Sequence, residues 1–501
     1  MSAEKVQYSI PATCSWEGVT QPLIIPEGFR EYDGRWRFPD EINLPGALLL
    51  GRGLGTLMNE QNIHPRIIVG CDFRSYSRQI AQALTIGLIN CGIDVVDIGT
   101  VLSPMAYFSR VHLGIDAVAM VTASHNPNGW TGLKAGFRHP QTLSETEMKR
   151  LREIVIEQEF SGNRISSYRQ NETIFGPYAD DLCEEVHITR PLKIVCAAGN
   201  GTAGQFVPSI LERCGVEVIP LHTTPDSRFP NYNPNPESLE MLHDIGRNVR
   251  ETHADLGFGF DGDGDRLGVV DNTGAPIFSD KIGLLIARAL AARHPGARFI
   301  VDIKSTGLFV TDPVLSAHDA QTEYWKTGHS HMKWRLAETG AIAGFEKSGH
   351  FYFGNPIGRG YDDALLAAIT LCQFLDDMPD ASLSDAIAAL PQSWITPTMS
   401  PHCRDTDKYE TVERIINRLK SYGAQNGRLG GQRIVDIVTV NGARCQLENG
   451  SWALVRASSN TPNLVVVCES MSSENEMRRI FEDFDQLIRQ EGTIGPYDQS
   501  I

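Results

Sequence analysis

Three short runs of β-branched residues dominate what this chain can become: RIIVGCD at 66–72, KIVCAA at 193–198 and RFIVDI at 298–303. Each is followed by a polar or glycine-containing turn and then by a stretch able to form a helix. A strand that is apolar on both faces belongs in a parallel sheet covered by helices, so each run marks an α/β unit. The runs start 127 and 105 residues apart (66 to 193, then 193 to 298), which predicts a repeated α/β domain rather than a short-period solenoid. With 501 residues, the chain is too long for one core. About 150 residues per domain gives three or four. After Trp394 the pattern changes. Thr396-Pro397 and Ser400-Pro401 read as a linker. A helix near 408–422, short strands between 433 and 469 and an amphipathic helix over 474–490 then suit a separate α+β domain. The expected fold class is α/β: three similar domains with mixed, mainly parallel sheets at 1–172, 173–278 and 279–395, and an α+β domain at 396–501.

Composition narrows the function. The net charge of −16 excludes a nucleic-acid or anionic-membrane partner, since both require a basic face. The longest apolar candidate, 364–375, contains Thr370 and Gln373 and falls well short of the ~20 residues of a membrane span. Residues 1–16 lack the basic-then-apolar pattern of a signal peptide, so the cytoplasm is the expected compartment. The ten cysteines include no CxxC pair and read as buried free thiols. An acidic protein can still bind phosphates where its few cations converge.

Two motifs suggest such a place. Thr122-Ala123-Ser124-His125-Asn126-Pro127 follows an expected strand at 116–121, so Ser124 lies on a loop at a strand's C-terminal end, where open α/β sheets bind ligands. Alone, this hydroxyl reads equally well as a nucleophile, a phosphate carrier or a turn residue. A hydrolase triad is disfavoured, because adjacent Ser and His do not easily form one and no GxSxG elbow surrounds Ser124. The second motif is Asp261-Gly262-Asp263-Gly264-Asp265-Arg266, directly after a strand-like stretch at 254–260. Three carboxylates so close repel one another unless a cation neutralises them, and the glycines let the backbone turn all three towards one centre. All-oxygen ligation points to Mg²⁺. An EF-hand is ruled out, since Arg266 stands where that loop needs Gly and Asn272 where it needs a bidentate Glu. Three carboxylates and one divalent ion sum to −1. A phosphate on Ser124 would complete the ion's ligands and bring the site to about −3, so it needs cations, for which Lys134 and Arg266 are the candidates.

Together these motifs resemble the α-D-phosphohexomutase superfamily, in its phosphomannomutase/phosphoglucomutase group, over nearly the whole chain and in the expected order. Phe29-Arg30-Glu31-Tyr32-Asp33-Gly34-Arg35 is similar to the family's FRxYDxRG segment, with Trp36 in place of the last glycine. Asp72-Phe73-Arg74 resembles its DxR segment. TASHNP with Lys134 resembles the phosphoserine loop, and DGDGDR the metal loop. Thr327-Gly328-His329 followed by Glu346-Lys347-Ser348-Gly349-His350 is similar to the sugar-binding region, and Arg456-Ala457-Ser458-Ser459-Asn460-Thr461-Pro462 to the phosphate-binding loop.

The resemblance implies four domains around a central cleft and a phosphate moved between the 1- and 6-positions of mannose or glucose. The phosphate passes through phospho-Ser124 and a glucose or mannose 1,6-bisphosphate. It further implies that Ser124, Asp261, Asp263 and Asp265 hold Mg²⁺, assisted by Arg266, and that Lys134, Arg35 and His329 are candidate bases. Lys134 ranks first because a cationic site should lower its pKa. His125 either orients Ser124 or packs. Arg456, Ser458, Asn460 and Thr461 would anchor the distal phosphate, a natural role for guanidinium. Tyr32, Lys304, His329 and His350 would contact the substrate. Glu346 and Ser348 would meet the 3- and 4-hydroxyls that glucose and mannose share, so discrimination at C2 is expected to be weak. Lys347 should point away from them. Asp362 and Asp363 read as the start or cap of a helix, or as support for the site from behind. The expected partners are hexose phosphates only, with the chain a monomer or homodimer. Phosphoglucosamine mutase is the nearest alternative and a sugar-phosphate phosphatase the alternative of another class.

Overall fold

The computed structural model describes residues 20–162, 166–171, 173–458 and 461–497. Its four sheets follow one another along the chain. All three predicted β-branched runs are strands: Arg66–Cys71, Lys193–Ala197 and Arg298–Asp302. In the first sheet, Arg66–Cys71 lies between Asp94–Thr100 and Ala117–Val121, parallel to both. Trp130–Gly136 and Gly34–Arg37 then extend that edge antiparallel. The second sheet repeats the plan, with Lys193–Ala197 parallel to Glu217–Leu221 and Leu256–Phe260, and with Leu267–Asp271 antiparallel beyond. In the third, Arg298–Asp302 is parallel to Gln321–Trp325 and Ala343–Phe345, and Phe351–Phe353 closes it antiparallel. The parallel strands at each centre are buried along almost their whole length, as their continuous apolar sequences require. One contiguous core runs from a face of the first sheet through the second and third, so these three units pack as a single body.

The fourth sheet has six strands, all antiparallel. It is flanked by helices Lys408–Ala424 and Glu474–Ile488 over a core of its own. The expected linker at 396–401 is instead part of this sheet's edge. Trp394–Ile395 pairs with Glu469 and Ser470, Met399 exchanges hydrogen bonds with Val466, and the Thr396 N–H donates to the Cys468 carbonyl at 2.9 Å. The prolines are tolerated because an edge strand leaves alternate N–H groups unpaired.

A buried seam stitches the third and fourth units together. The Arg444 guanidinium lies between the rings of Tyr324 (3.9 Å) and Trp452 (3.8 Å) and donates to the carbonyls of Ile303 and Ser305, both at 2.7 Å. Beside it the Glu469 carboxylate accepts from Thr306 Oγ1, the Gly307 N–H and Trp452 Nε1 at 2.6–2.8 Å. The nine described cysteines are free and buried, as expected; Cys14 lies outside the described residues.

Asp363 caps the helix Ala364–Asp376, accepting from the N–H groups of Leu365 and Leu366 at 3.0 Å and from Tyr178 Oη. Burial pushes its carboxyl up to about 7. An unfolded aspartate titrates near 3.9, so the native state holds this proton more tightly and loses stability as pH rises from about 4 to 7, by about 4 kcal/mol at most. Asp363→Asn keeps an acceptor for the cap and removes the charge. Its melting midpoint should therefore exceed that of the parent at pH 8 and match it at pH 4. An unchanged difference across that range would refute the buried-charge account.

Candidate active site

The loops leaving the C-terminal ends of strands in all four sheets converge on one cleft of about 410 Å³. Its walls carry Tyr32, Arg35, His125, Arg266, Lys304, His329, Glu346, Ser348, His350, Arg456 and Thr461, all of them predicted from sequence. Ser124, Lys134 and the three aspartates lie beneath its floor, each at most 1% exposed. Ser458 is off the lining and accepts from Thr461 Oγ1 at 2.9 Å. Asn460 lies outside the described residues.

At the floor the first two domains interlock. Ser124 Oγ donates to Asp261 Oδ2 at 2.7 Å. The Ser103 N–H donates to the Asp263 carbonyl at 2.9 Å and Ser103 Oγ to its carboxylate at 2.5 Å. Gly262 makes this approach possible, because a Cβ there would stand 2.5 Å from the Ser124 carbonyl oxygen. Asp261, Asp263 and Asp265 offer oxygens within 4.8 Å of one another. Asp263 Oδ1 and Asp265 Oδ1 are buried without a hydrogen-bond donor. Orphaned anionic oxygens converging in this way fit a hard divalent cation. Burial and then its two neighbouring carboxylates drive the Asp261 carboxyl well above the ordinary range.

Lys134 overturns one expectation. Its ammonium pairs with Asp263 at 2.8 Å and with Asp265, so although burial opposes the charge, the carboxylates raise its pKa rather than lower it. In this arrangement Lys134 is held as a cation, the opposite of the lowered pKa expected for it. Arg35, ion-paired with Asp33 at 2.8 Å, is likewise held charged. Burial, followed by the charges of Arg266, Arg35 and Lys134, keeps the His125 imidazole neutral, with Nδ1 at 3.4 Å from Ser124 Oγ. His329 is also held neutral, first by burial and then by Lys333.

The opposite wall is built by the third domain. Glu346 accepts from the Gly328 N–H, Ser348 Oγ and Tyr352 Oη at 2.8–3.2 Å, which fixes its carboxylate at the cleft. Lys347 points the other way, as alternation predicts, with Nζ 5.3 Å from the centre of the Phe278 ring. Tyr32 reaches across from the first domain and sets its ring edge-on between His329 (4.8 Å) and His331 (5.3 Å). Gly328 (φ +128°) is required here, since a Cβ would lie 2.5 Å from the Tyr32 hydroxyl. Arg266 donates through Nε to His350 Nε2 at 3.0 Å and pairs with Glu237 at 3.2 Å.

Sequence reasoning reached only part of the layer behind the wall. Asp362, expected either to begin a helix or to support the site from behind, is fully buried and does the latter. It pairs with Lys333 at 2.6 Å and faces His350 Nδ1 at 3.0 Å. The paired acids Asp362-Asp363 directly ahead of the apolar run 364–369 were the available signal. Lys333 lies on helix His329–Thr339 and carried no signal at all. A second, wider opening of about 850 Å³ adjoins the cleft, between Glu31, Lys149 and Arg152 of the first domain and Lys408, Tyr409 and Asn441 of the fourth.

Comparison with known proteins agrees with this arrangement. Models of phosphoglucomutase/phosphomannomutase α/β/α domains I, II and III match residues 26–162, 177–274 and 278–394. A phosphomannomutase/phosphoglucomutase of Pseudomonas aeruginosa is 34% identical over 469 residues, covering 93% of this chain and 96% of that protein. A phosphoglucomutase of Neisseria gonorrhoeae is 32% identical, covering 92% and 96%. The crystal structure of a phosphoglucomutase/phosphomannomutase family protein from Burkholderia thailandensis superposes with a TM-score of 0.85 at 30% identity, over 95% of this chain and all of that one.

Proposed function

The chain belongs to the α-D-phosphohexomutase superfamily, in its phosphomannomutase/phosphoglucomutase group, and on that premise we propose that it moves a phosphate between the 1- and 6-positions of a hexose through phosphorylated Ser124. The observation that carries this reading is the 2.7 Å contact between Ser124 Oγ and Asp261 across the junction of two domains. A nucleophile and a cation-binding triad separated by 137 positions meet at one point.

In the forward half-reaction the sugar's free hydroxyl attacks phosphorus, the bond to Ser124 Oγ breaks and the bond to the sugar forms. The resulting 1,6-bisphosphate turns end for end, and its other phosphoryl group passes to Ser124. Such transfers depend chiefly on placement and on stabilising spread negative charge. Asp261, Asp263 and Asp265 with Ser124 would hold Mg²⁺, whose charge offsets that of the phosphoryl group. Lys134, Arg35 and Arg266 supply three further positive charges around the triad. Because Lys134 and Arg35 are both ion-paired with carboxylates, we assign the hydroxyl's proton to the imidazole of His329 at the cleft wall, which burial holds neutral and whose Nε2 has no hydrogen-bond partner among the described residues. Arg456, Thr461 and Lys304 anchor the distal phosphate, while Glu346 and Ser348 hold the ring hydroxyls. The free thiols support the cytoplasm as its compartment.

A coupled assay over mannose 1-phosphate, glucose 1-phosphate and glucosamine 1-phosphate tests the substrate reading. Glucose and mannose should turn over within about tenfold of each other, since the residues assigned to the ring meet the 3- and 4-hydroxyls that the two sugars share. Glucosamine 1-phosphate should be the poorest of the three. Phosphate released as fast as sugar phosphate is consumed would make the protein a phosphatase, and a preference for glucosamine would move it to the other branch.

A further inference from the structure

Ser124 adopts φ +51°, a left-handed conformation that costs a non-glycine residue about 1 kcal/mol and must be imposed from outside. The source of that constraint is visible. Three successive carbonyls of the loop are each taken by a side chain from elsewhere. Arg74 Nη2 donates to the carbonyls of Ser124 (2.9 Å) and Asn126 (2.6 Å), and Asn233 Nδ2 to that of His125. Arg74 is 4% exposed and is itself fixed by Asp72, which takes its guanidinium Nη1 and its backbone N–H. The same carboxylate accepts from Ser77 Oγ (2.5 Å), Thr122 Oγ1 (2.8 Å) and the Ala123 N–H (3.3 Å), so one buried acid ties the guanidinium to the start of the loop. Asn233 belongs to the second domain, as does Phe229, whose ring centre lies 5.5 Å from the Arg74 guanidinium carbon. Neither Arg74 nor Asn233 lines the cleft.

We propose that Arg74, oriented by Asp72, and Asn233 are positioning residues that clamp the nucleophile loop through its carbonyls, keeping Ser124 Oγ in line for transfer while the serine gains and loses its phosphoryl group. The inference rests on the phosphoserine reading above. A phosphate on Ser124 adds about −1.5 to −2 of charge beside three carboxylates, and an unclamped loop would recoil into an ordinary conformation. Misplacement of a reacting atom by about 1 Å costs on the order of 100-fold in rate. An arginine suits this task because its planar fork spans two acceptors and an acid at once, which an ammonium does not.

The test uses Arg74→Lys and Asn233→Ala in the full chain, with Arg74→Ala added for chemical rescue. Phosphorylation of Ser124 by glucose 1,6-bisphosphate is followed by intact mass, alongside kcat, KM and the melting midpoint. Both variants should lose about 100-fold in the rate of phosphate uptake and in kcat, with KM for glucose 1-phosphate changed less than about threefold. Millimolar guanidinium should restore part of the lost rate to Arg74→Ala but not to Asn233→Ala. If the Arg74 variants do not fold, Asn233→Ala carries the test. Uptake at the parent rate in the folded variants overturns the clamp, and so does a loss in either that tracks the melting midpoint or, in Arg74→Ala, resists guanidinium. A parent protein that takes up no phosphate refutes the phosphoserine reading itself and the clamp with it, an outcome distinct from parent uptake with undiminished variants.

Discussion

Replacing Ser124 with alanine should lower turnover of glucose 1-phosphate by about 10⁵-fold or more, the scale on which enzymes lose rate when a covalent nucleophile is removed. Intact mass after incubation with glucose 1,6-bisphosphate should show one added phosphoryl group on the parent protein and none on the variant. The fold should survive. Ser124 is almost fully buried but gives its side-chain hydrogen to a single strong acceptor, Asp261, so its loss costs about 1–3 kcal/mol. A variant that keeps its turnover, or a parent that never carries phosphate, would exclude the covalent route.

The next largest effect is expected from Asp263→Asn. This carboxylate is fully buried, accepts from Lys134 and Ser103, and is held ionised well below the usual range, burial being outweighed by Lys134. Asparagine preserves its shape and one acceptor oxygen but removes the charge that a divalent cation requires. Turnover should fall at least about 10³-fold. Titration calorimetry with Mg²⁺ or Mn²⁺ should show weakened binding in proportion. Lys134 retains Asp265 as a partner, so the variant escapes most of the ~3–5 kcal/mol cost of stranding a buried charge and should melt within several degrees of the parent. Undiminished activity would take the DGDGD loop out of the reaction.

The elements legible in the sequence are those fixed by short-range pattern. Buried parallel strands announce themselves as unbroken apolar runs, and the loops carrying Ser124 and Asp261 follow directly from where those runs end. The closing helix Glu474–Ile488 shows its buried stripe of Met477, Ile480, Phe481, Phe484 and Ile488 at helical spacing. Partnerships between distant segments were not legible. Nothing local tells that Arg74 caps two carbonyls some fifty residues on. Lys333, which meets an aspartate from the next strand-and-loop unit, is equally silent in the sequence. The sign of the Lys134 shift was misread for the same reason. Its pKa depends on which charges lie closest, and the nearest are carboxylates more than a hundred positions away. The prolines after Thr396 looked like a linker because proline marks both loops and sheet edges, and only the pairing with Val466 and Cys468 distinguishes them.

The Arg444 and Glu469 seam makes the enclosure lopsided. One flank, where the last domain grips the ends of Ile303 and Gly307, is welded shut. The flank facing Arg152 and Tyr409 is held by no comparable buried pair among the described residues and opens into the wider void. Arg456 lines both spaces, so a sugar phosphate arriving from the wider one would meet that guanidinium before it reached the sugar loop.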